Sequence, residues 1–433
     1  MGIDRCGNVA RFLLICGIFL VPVWGYAATA SVTWMRVLDL ETIRTVGDVW
    51  NHLAGLRTGM PPVLSTLELL WWVGFQDLTL FSSVLYPVTI ALAFTMAVLI
   101  QPAEPRLRIA VLILGLFLAH RGVAVHAGNP ANYDPLFALL TLGYFLLVRA
   151  WLRGRRPGTL AAAGLCLSLL DLTRPFMVFL LPLFMAVEIH RIVGTAPPSA
   201  RGRAGALAAF LLPVVILSGG WHLHVWLAHD QQLTWTNVSG FNLQRAWEEF
   251  DPDIRAARRL EELPRVREGA NELWADLNTS EVYRESEALK SLVVARILEE
   301  PFRAAGHVLD RLAVFASAPT RMYDRDPQGV GITVYRGAVT ALVITLAGYV
   351  VAGAAVLIRR RSWPWLDQRW WLAASTLLVA VLVSVGERGE EGRFLFSILP
   401  MLLAVGGFAV ARGWRSGHSE KFRSRRVNDQ QSA

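Results

Sequence analysis

Carboxylates, histidines and arginines that border apolar segments are the residues of this chain that could do chemistry. Three acids, Asp39, Glu41 and Asp48, follow the first apolar segment, and His52 lies four residues after Asp48, which is about one turn of a helix. A carboxylate at this place could take the proton from an acceptor hydroxyl, so the predicted catalytic residues are these three acids. The alternative is that each is a solvated charge on an exposed helix.

A second set of residues could hold a phosphate group. Arginine pairs bidentately with phosphate oxygens, and an ionisable group at a membrane boundary is costly enough to suggest a function. Two simpler interpretations remain open: Asp134 could cap a helix that begins with Pro135, and Arg174 could extend to lipid headgroups. Three further histidines are expected to pack or to lie at the membrane interface rather than to bind a metal: His222, His224 and His229. The predicted substrate-binding residues are His52, His126, Asp134, Arg174, Arg388 and Arg393.

Membrane-spanning helices must position these residues. Hydrophobic residues make up 54% of the 433 residues and charged residues only 18%, against roughly a quarter charged in an ordinary globular protein. A soluble fold has no interior for so much apolar surface, so the composition predicts an all-α polytopic membrane protein. We expect a helix break at Arg174-Pro175, because proline disfavours helix just before it. The ten predicted spans are about 11–30, 79–100, 109–120, 134–150, 159–173, 175–193, 205–228, 333–358, 370–385 and 393–411.

The distribution of basic residues predicts the orientation. The net charge is +8, and the arginines, Arg191 among them, concentrate in every second loop. The positive-inside rule therefore places these loops and both termini in the cytoplasm. The basic excess is thus a topology signal, and no nucleic-acid partner is predicted.

The spans divide the chain into segments. Residues 1–30 could instead be a cleaved signal peptide. The apolar spacing within 280–318 predicts amphipathic helix on both sides of Pro301. The segments are 1–30 (first transmembrane anchor), 31–78 (first periplasmic loop, with the candidate acids), 79–229 (spans 2–7), 230–332 (large helical periplasmic loop), 333–411 (spans 8–10) and 412–433 (basic cytoplasmic tail).

Several short motifs resemble those of a known family. The chain is similar to the GT-C superfamily of polyprenyl-phosphate-sugar-dependent glycosyltransferases, particularly the bacterial protein O-mannosyltransferase and lipid A aminoarabinose transferase group. One departure concerns the first loop, where the adjacent Asp-Glu pair common in the family is absent because Leu40 separates Asp39 from Glu41. The motifs that carry the resemblance are Asp48-Val-Trp-Asn-His52-Leu, Gly59-Met-Pro61-Pro62, Asn132-Tyr-Asp134-Pro, Leu172-Thr173-Arg174-Pro175, Val294-Ala-Arg-Ile-Leu-Glu-Glu-Pro301 and Arg393-Phe-Leu-Phe-Ser-Ile-Leu-Pro400.

The resemblance implies a fold and an activity. It implies a GT-C-like bundle of about ten spans with a large outer loop between spans 7 and 8. The expected activity is a hexosyl or pentosyl transfer at the periplasmic face of the bacterial inner membrane. The donor would be a polyprenyl-phosphate sugar and the acceptor a glycolipid, polysaccharide or protein. The outer arginines would hold the lipid phosphate, Asp134 would support the site, and a first-loop acid would act as general base or orient the acceptor.

The remaining expectations concern partners and rival functions. No cofactor is expected, although a divalent metal stays possible, and the partners are membrane lipids, the donor and the acceptor. One alternative is a transporter or flippase of lipid-linked sugars, which would carry charges within its spans. Another is a non-catalytic assembly partner with the same scaffold.

Overall fold

The computed structural model describes residues 3–27, 43–54, 62–100, 104–119, 133–196, 199–229, 239–257, 259, 280–317, 330–360, 363, 367–386 and 397–407. Every secondary-structure element within these residues is a helix, which confirms the all-α class. Five of the predicted site residues lie outside the described residues: Asp39, Glu41, His126, Arg388 and Arg393.

The helices are numbered here in chain order. A π-helical stretch, Val214–Gly219, joins α9 to α10, so that the two form one continuous rod. The helices are α1 (Ile3–Ala27), α2 (Val46–Ala54), α3 (Pro62–Phe75), α4 (Leu78–Ile100), α5 (Pro105–Leu118), α6 (Asp134–Gly154), α7 (Pro157–Asp171), α8 (Met177–Thr195), α9 (Ala200–Pro213), α10 (Gly220–His229), α11 (Ser239–Trp247), α12 (Pro252–Ala256), α13 (Ser280–Glu299), α14 (Pro301–Ser317), α15 (Val330–Arg359), α16 (Gln368–Gly386) and α17 (Ser397–Gly407).

Five of the described helices are long and apolar enough to cross a membrane. They are α6, α8, the rod from α9 to α10, α15 and α16, and they coincide with five of the predicted spans. The other five predicted spans fall on α1, α4, α5, α7 and α17, which do not reach the same length and hydropathy within the described residues. The chain is therefore an all-α, multi-pass membrane protein, and the count of ten spans stays a prediction.

A sharp turn joins α6 to α7 and makes them antiparallel. Arg155 ends α6 in the left-handed conformation, with φ at 52°. Pro157 then begins α7, where its missing N–H costs no helical hydrogen bond. The start of α6 and the end of α7 consequently lie at the same end of the bundle, which we call the Asp134 end.

The predicted break at Arg174-Pro175 is confirmed. The helix α7 ends at Asp171, and α8 begins at Met177. Between them the backbone N–H of Arg174 donates to the carbonyl of Leu170 at 3.1 Å, and the N–H of Met177 donates to the carbonyl of Arg174 at 3.0 Å. Residues 172–176 therefore form a compact turn at the Asp134 end.

Close helix contacts fix the position of α7 in the bundle. It packs against α6 on one side and against α9 and the π-helical stretch on the other. A side chain at Gly164 would collide with the backbone carbonyl of Phe210. Glycine at this position lets α7 and α9 approach closely, and this approach sets the distance across which residues of α7 and α10 can meet.

The described part of segment 230–332 is a helical unit. Its helices α11 and α14 pack against α16, and the indole N–H of Trp247 donates to the carbonyl of Val385 at 2.8 Å. The predicted interruption at Pro301 is confirmed, since α13 ends at Glu299 and α14 begins at Pro301. The unit covers the end of α16 that lies at the Asp134 end.

Candidate functional site

The last residue of α7 and the turn that follows it carry two fully buried ionisable side chains that face different neighbours. Asp171 contacts the rod from α9 to α10, while Arg174 contacts α6 and α17. Both are 0% exposed. We define the candidate site by the six residues around this turn: Asp134, Asp171, Arg174, Ser218, His222 and Ser397.

Arg174 links three segments that are far apart in the sequence. Its guanidinium forms an ion pair with Asp134 and donates to the hydroxyl of Ser397 at 3.0 Å, and this hydroxyl in turn donates to Asp134. The guanidinium also stacks over the ring of Tyr133, 4.1 Å from its centre. A buried charge is tolerated only when it is paired, so this network holds the start of α6, the α7–α8 turn and the start of α17 together.

These contacts decide both simpler interpretations. Tyr133, not Asp134, is the N-cap residue of α6, and the Asp134 carboxylate is directed to Arg174 and Ser397. Arg174 does not extend to the surface, because it is completely buried. The interpretations of Asp134 as a helix cap and of Arg174 as a headgroup contact are therefore wrong. The substrate-binding roles of both residues stay predictions.

The other side of the turn holds a carboxylate–histidine pair. The Asp171 carboxylate accepts a hydrogen bond from the hydroxyl of Ser218, and the same oxygen lies 2.8 Å from Nε2 of His222. A carboxylate at Nε2 favours the tautomer with its proton on that nitrogen, which leaves Nδ1 as an acceptor. The His222 side chain is 22% exposed, so it links the buried Asp171 carboxylate to the surface of the protein.

For His222, which was expected to pack or to lie at the membrane interface, the structure adds a specific partner. Its partner is a buried carboxylate, and Ser218 shares that carboxylate from one turn earlier on the same rod. Ser218 lies in the π-helical stretch, an irregularity that is frequent at functional sites. Sequence reasoning missed Ser218 and Ser397, since short hydroxyl side chains within apolar spans carry no spacing signal, and it considered His222 only as a packing or interfacial residue.

Asp48 stabilises the start of α2. Its carboxylate accepts hydrogen bonds from the backbone N–H groups of Arg44 at 3.0 Å and of Thr45 at 2.8 Å, and from the Thr45 hydroxyl at 2.9 Å. The N–H of Asp48 donates back to that hydroxyl at 3.2 Å, which completes a capping box. The donors, first the Arg44 N–H, lower the pKa of Asp48, so this carboxylate is a weak base.

The first-loop helices lie beside the carboxylate–histidine pair. A small apolar cluster of Ile43, Val49, Leu53 and Leu69 brings α2 and α3 against Trp221, the neighbour of His222 in the sequence. His52 is buried, with 8% of its surface exposed. The structure thus places Asp48 and His52 in helices that pack near the candidate site, and their predicted roles stay untested.

A further buried charge pair lies within α8. Glu188 is ion-paired with Arg191 and accepts a hydrogen bond from the Tyr144 hydroxyl of α6 at 2.7 Å. Arg191 is 1% exposed, so its assignment to a loop was wrong. It lies in the last two turns of a predicted span, where pairing with Glu188 compensates its burial.

Metal binding has no support in the part of the chain that the structure describes. No group of three or more His, Cys, Asp or Glu side chains there is arranged to hold a metal ion. The expectation of no cofactor stays a prediction.

The chain matches no protein-family model, no curated protein and no solved structure at a significant level. The fold defines an all-α, multi-pass membrane protein, and any narrower function has to be argued from the candidate site.

Proposed function

We propose that the chain is an integral membrane glycosyltransferase of the bacterial inner membrane that works at the periplasmic face. It transfers a sugar from a polyprenyl-phosphate donor to a glycolipid, polysaccharide or protein acceptor. The donor class and the orientation come from the family resemblance and the charge distribution. The observation that carries the proposal is the Asp171–His222 pair, which lies one turn away from the Asp134–Arg174 pair at the same end of the bundle.

In this proposal His222 is the general base. Its Nδ1 accepts the proton of the acceptor hydroxyl while the hydroxyl oxygen bonds to the anomeric carbon of the sugar. The bond from that carbon to the phosphate oxygen breaks, and polyprenyl phosphate leaves with the electron pair. Phosphate leaves without a strong acid, and attack from the opposite side inverts the anomeric configuration. Asp171 stabilises the imidazolium that forms, in the way a carboxylate supports a catalytic histidine.

The Asp134–Arg174 pair has a positioning role in the same proposal. It fixes the α7–α8 turn, which directly follows Asp171. It also fixes the start of α17, because Ser397 is hydrogen-bonded to both members of the pair. The leaving phosphate is assigned to Arg388 and Arg393, which precede α17 in the sequence. Bidentate contacts from these arginines would neutralise the charge of the phosphate.

The proposal is tested by replacing His222. A strain that lacks the gene is complemented with the wild type, His222→Asn or His224→Asn at equal membrane abundance, and its envelope lipids and glycans are quantified by mass spectrometry. Loss of a general base lowers the rate by about 100- to 10,000-fold, so the product should disappear with His222→Asn. His224 is the matched control because it lies on the same helix and contacts the ring of Trp221. Wild-type product levels in the His222→Asn strain would rule out this base.

The first-loop acids are the competing source of the base. Asp39, Glu41 and Asp48 are each changed to Asn or Gln in the same strain. If His222 is the base, product survives Asp48→Asn at wild-type protein abundance. If one of these variants lost the product at normal protein abundance while His222→Asn kept it, the first-loop acid and not His222 would be the general base.

The buried Glu188–Arg191 pair favours transport of a lipid-linked sugar as a second candidate function. Charges within a span are expected for a transporter, and Tyr144 and Glu188 could pass a proton between α6 and α8. The test compares Glu188→Gln with His222→Asn and measures in which leaflet the donor lipid accumulates. A transporter defect strands the donor in the cytoplasmic leaflet, whereas a transferase defect leaves it in the periplasmic leaflet.

A further inference from the structure

A cleft opens at the end of the bundle opposite the Asp134 end. It lies between the last residue of α4, the final turns of α6 and the first turn of α16, and its volume is about 380 Å³. Arg149 and Arg153 of α6 and Arg369 of α16 line it. We call it the arginine cleft.

The described residues that line the arginine cleft carry more positive than negative charge. They include three arginines and one carboxylate, that of Asp367. This carboxylate accepts hydrogen bonds from the backbone N–H groups of Arg369 at 2.9 Å and of Trp370 at 3.0 Å, so it caps the start of α16. The excess of positive charge favours an anionic ligand.

A buried amide supplies a further donor. Gln368 lines the arginine cleft, and its Nε2 is buried and makes no hydrogen bond to the part of the chain that the structure describes. Such a donor costs free energy unless an acceptor satisfies it. A phosphate oxygen in the cleft would be that acceptor.

The remaining wall of the arginine cleft is apolar. Ile100, Phe145, Leu146 and Leu372 contribute to it. A soluble phosphate compound has no need of such a wall, whereas a phospholipid carries its phosphate only one glycerol unit away from its acyl chains. The combination of cationic rim and apolar wall therefore matches an amphiphilic anion.

We propose that the arginine cleft binds an anionic phospholipid of the membrane leaflet at this end. The phosphodiester lies between Arg149, Arg153 and Arg369, and the first part of an acyl chain lies along the apolar wall. This lipid would hold the final turns of α6 to the start of α16. The proposal does not depend on the proposed glycosyltransferase activity.

The experiment uses the full-length protein purified in a neutral detergent. Three probes are titrated separately: phosphatidylglycerol, phosphatidylcholine with the same acyl chains, and glycerol 1-phosphate. Bound lipid is counted by native mass spectrometry, and the shift in Tm is measured in parallel. The variants are Arg149→Gln/Arg369→Gln, Arg369→Gln alone and, as a matched control, Arg203→Gln, an exposed arginine of α9 away from the cleft.

The expected result separates the probes and the variants. Phosphatidylglycerol binds the wild type more tightly than phosphatidylcholine does and raises its Tm, while glycerol 1-phosphate does neither. Each removed charge weakens phosphatidylglycerol binding about fivefold, so the double variant loses about 25-fold. Arg203→Gln keeps wild-type binding. Arg369→Gln, at an exposed position, provides the test if the double variant does not fold.

Three results would overturn the proposal. Equal affinity for the two lipids would remove the role of the negative charge. If Arg369→Gln and the double variant both kept unchanged phosphatidylglycerol binding, the lipid would bind at a surface other than the arginine cleft. A Tm shift with glycerol 1-phosphate equal to that with the lipid would make the cleft a site for soluble phosphates.

Discussion

The candidate site and the arginine cleft use the same residue type in opposite ways. In the candidate site Arg174 is fully buried and its charge is neutralised by Asp134, a partner 40 positions away in the sequence. In the arginine cleft Arg153 and Arg369 are exposed, and the positive charges outnumber the carboxylates. An arginine at a membrane boundary therefore does not by itself indicate an anion site.

The surroundings decide between these two uses. A buried guanidinium must be compensated by the protein itself, and it then holds structural elements together. An arginine at the rim of an open cleft keeps its charge available to an external anion. This difference is the basis for the proposed positioning role of Arg174 and the proposed lipid-binding role of Arg149, Arg153 and Arg369.

The largest expected effect is the loss of stability in Arg174→Gln. This change leaves the carboxylate of Asp134 buried without its counter-charge, which costs about 3–5 kcal/mol. Thermal unfolding of the purified protein should show a large drop in Tm. Arg369→Gln, at an exposed position, should change the free energy of unfolding by less than about 0.5 kcal/mol.

A double variant sharpens this prediction. Asp134→Asn/Arg174→Gln removes both charges, so it should be more stable than Arg174→Gln alone, and the coupling energy of the cycle measures the pair. If Arg174→Gln were no more destabilising than Arg369→Gln, the distinction between the two arginines would fail.

A smaller loss of stability than that of Arg174→Gln is expected when a side chain is added at the close contact between α7 and α9. In Gly164→Ala the new methyl group meets the carbonyl of Phe210, and such overpacking costs about 1–3 kcal/mol. The shift of α7 should also disturb the Asp171–His222 pair and lower product formation while phosphatidylglycerol binding at the arginine cleft persists.

The matched control for this change lies on the same helix. At Gly158 a methyl group would meet no atom within 4 Å beyond its chain neighbours and the backbone of its own helix, so Gly158→Ala should leave the product unchanged and stability equal or slightly higher. Equal effects of the two glycine substitutions would show that helix propensity, and not the contact with α9, governs position 164.

The smallest effect concerns Asp48 and is local. Asp48→Ala removes the capping box, so the amides at the start of α2 should exchange with deuterium several-fold faster than in the wild type. The pKa of Asp48 is lowered in the folded protein, so its contribution is complete above the ordinary pKa, about 3.9, and is lost as the pH falls through the lowered value.

The control for this prediction is the pH dependence itself. Acidification should lower the protection of the α2 amides in the wild type, measured as the exchange rate relative to the intrinsic rate at the same pH, and should have little further effect on this protection in Asp48→Ala. Exchange at the start of α16, which Asp367 caps, serves as an unaffected reference for the substitution. If the amides at the start of α2 had no protection at neutral pH in the wild type, the capping box would be contradicted.

The spans were the most predictable part of the fold. The predicted spans 134–150 and 370–385 correspond to α6 (Asp134–Gly154) and α16 (Gln368–Gly386), and the break at Pro175 and the interruption at Pro301 are both confirmed. Long apolar runs and prolines act locally, through hydrophobicity and a missing backbone donor, so they can be recognised without knowledge of the partners.

The candidate site was only partly predictable. Asp134 and Arg174 stood out because charges next to apolar runs are rare, and the structure brings these two together. The partners Ser218 and Ser397 did not stand out, and His222 was expected only to pack or to lie at the membrane interface, since a serine or histidine within an apolar segment is as common in packing as in function. Asp48 stood out equally, yet its hydrogen bonds are to the start of its own helix.

The sequence by itself determined that this is an all-α membrane protein and where its helices break, since composition and proline act over a few residues. Tertiary structure alone decided which charges are paired. Whether an arginine is neutralised like Arg174 or exposed at a cleft like Arg153 depends on side chains from other helices, and the free energy of a charge depends on its burial and its partners. The proposal of His222 as the general base depends on such a contact as well, because its carboxylate partner comes from α7.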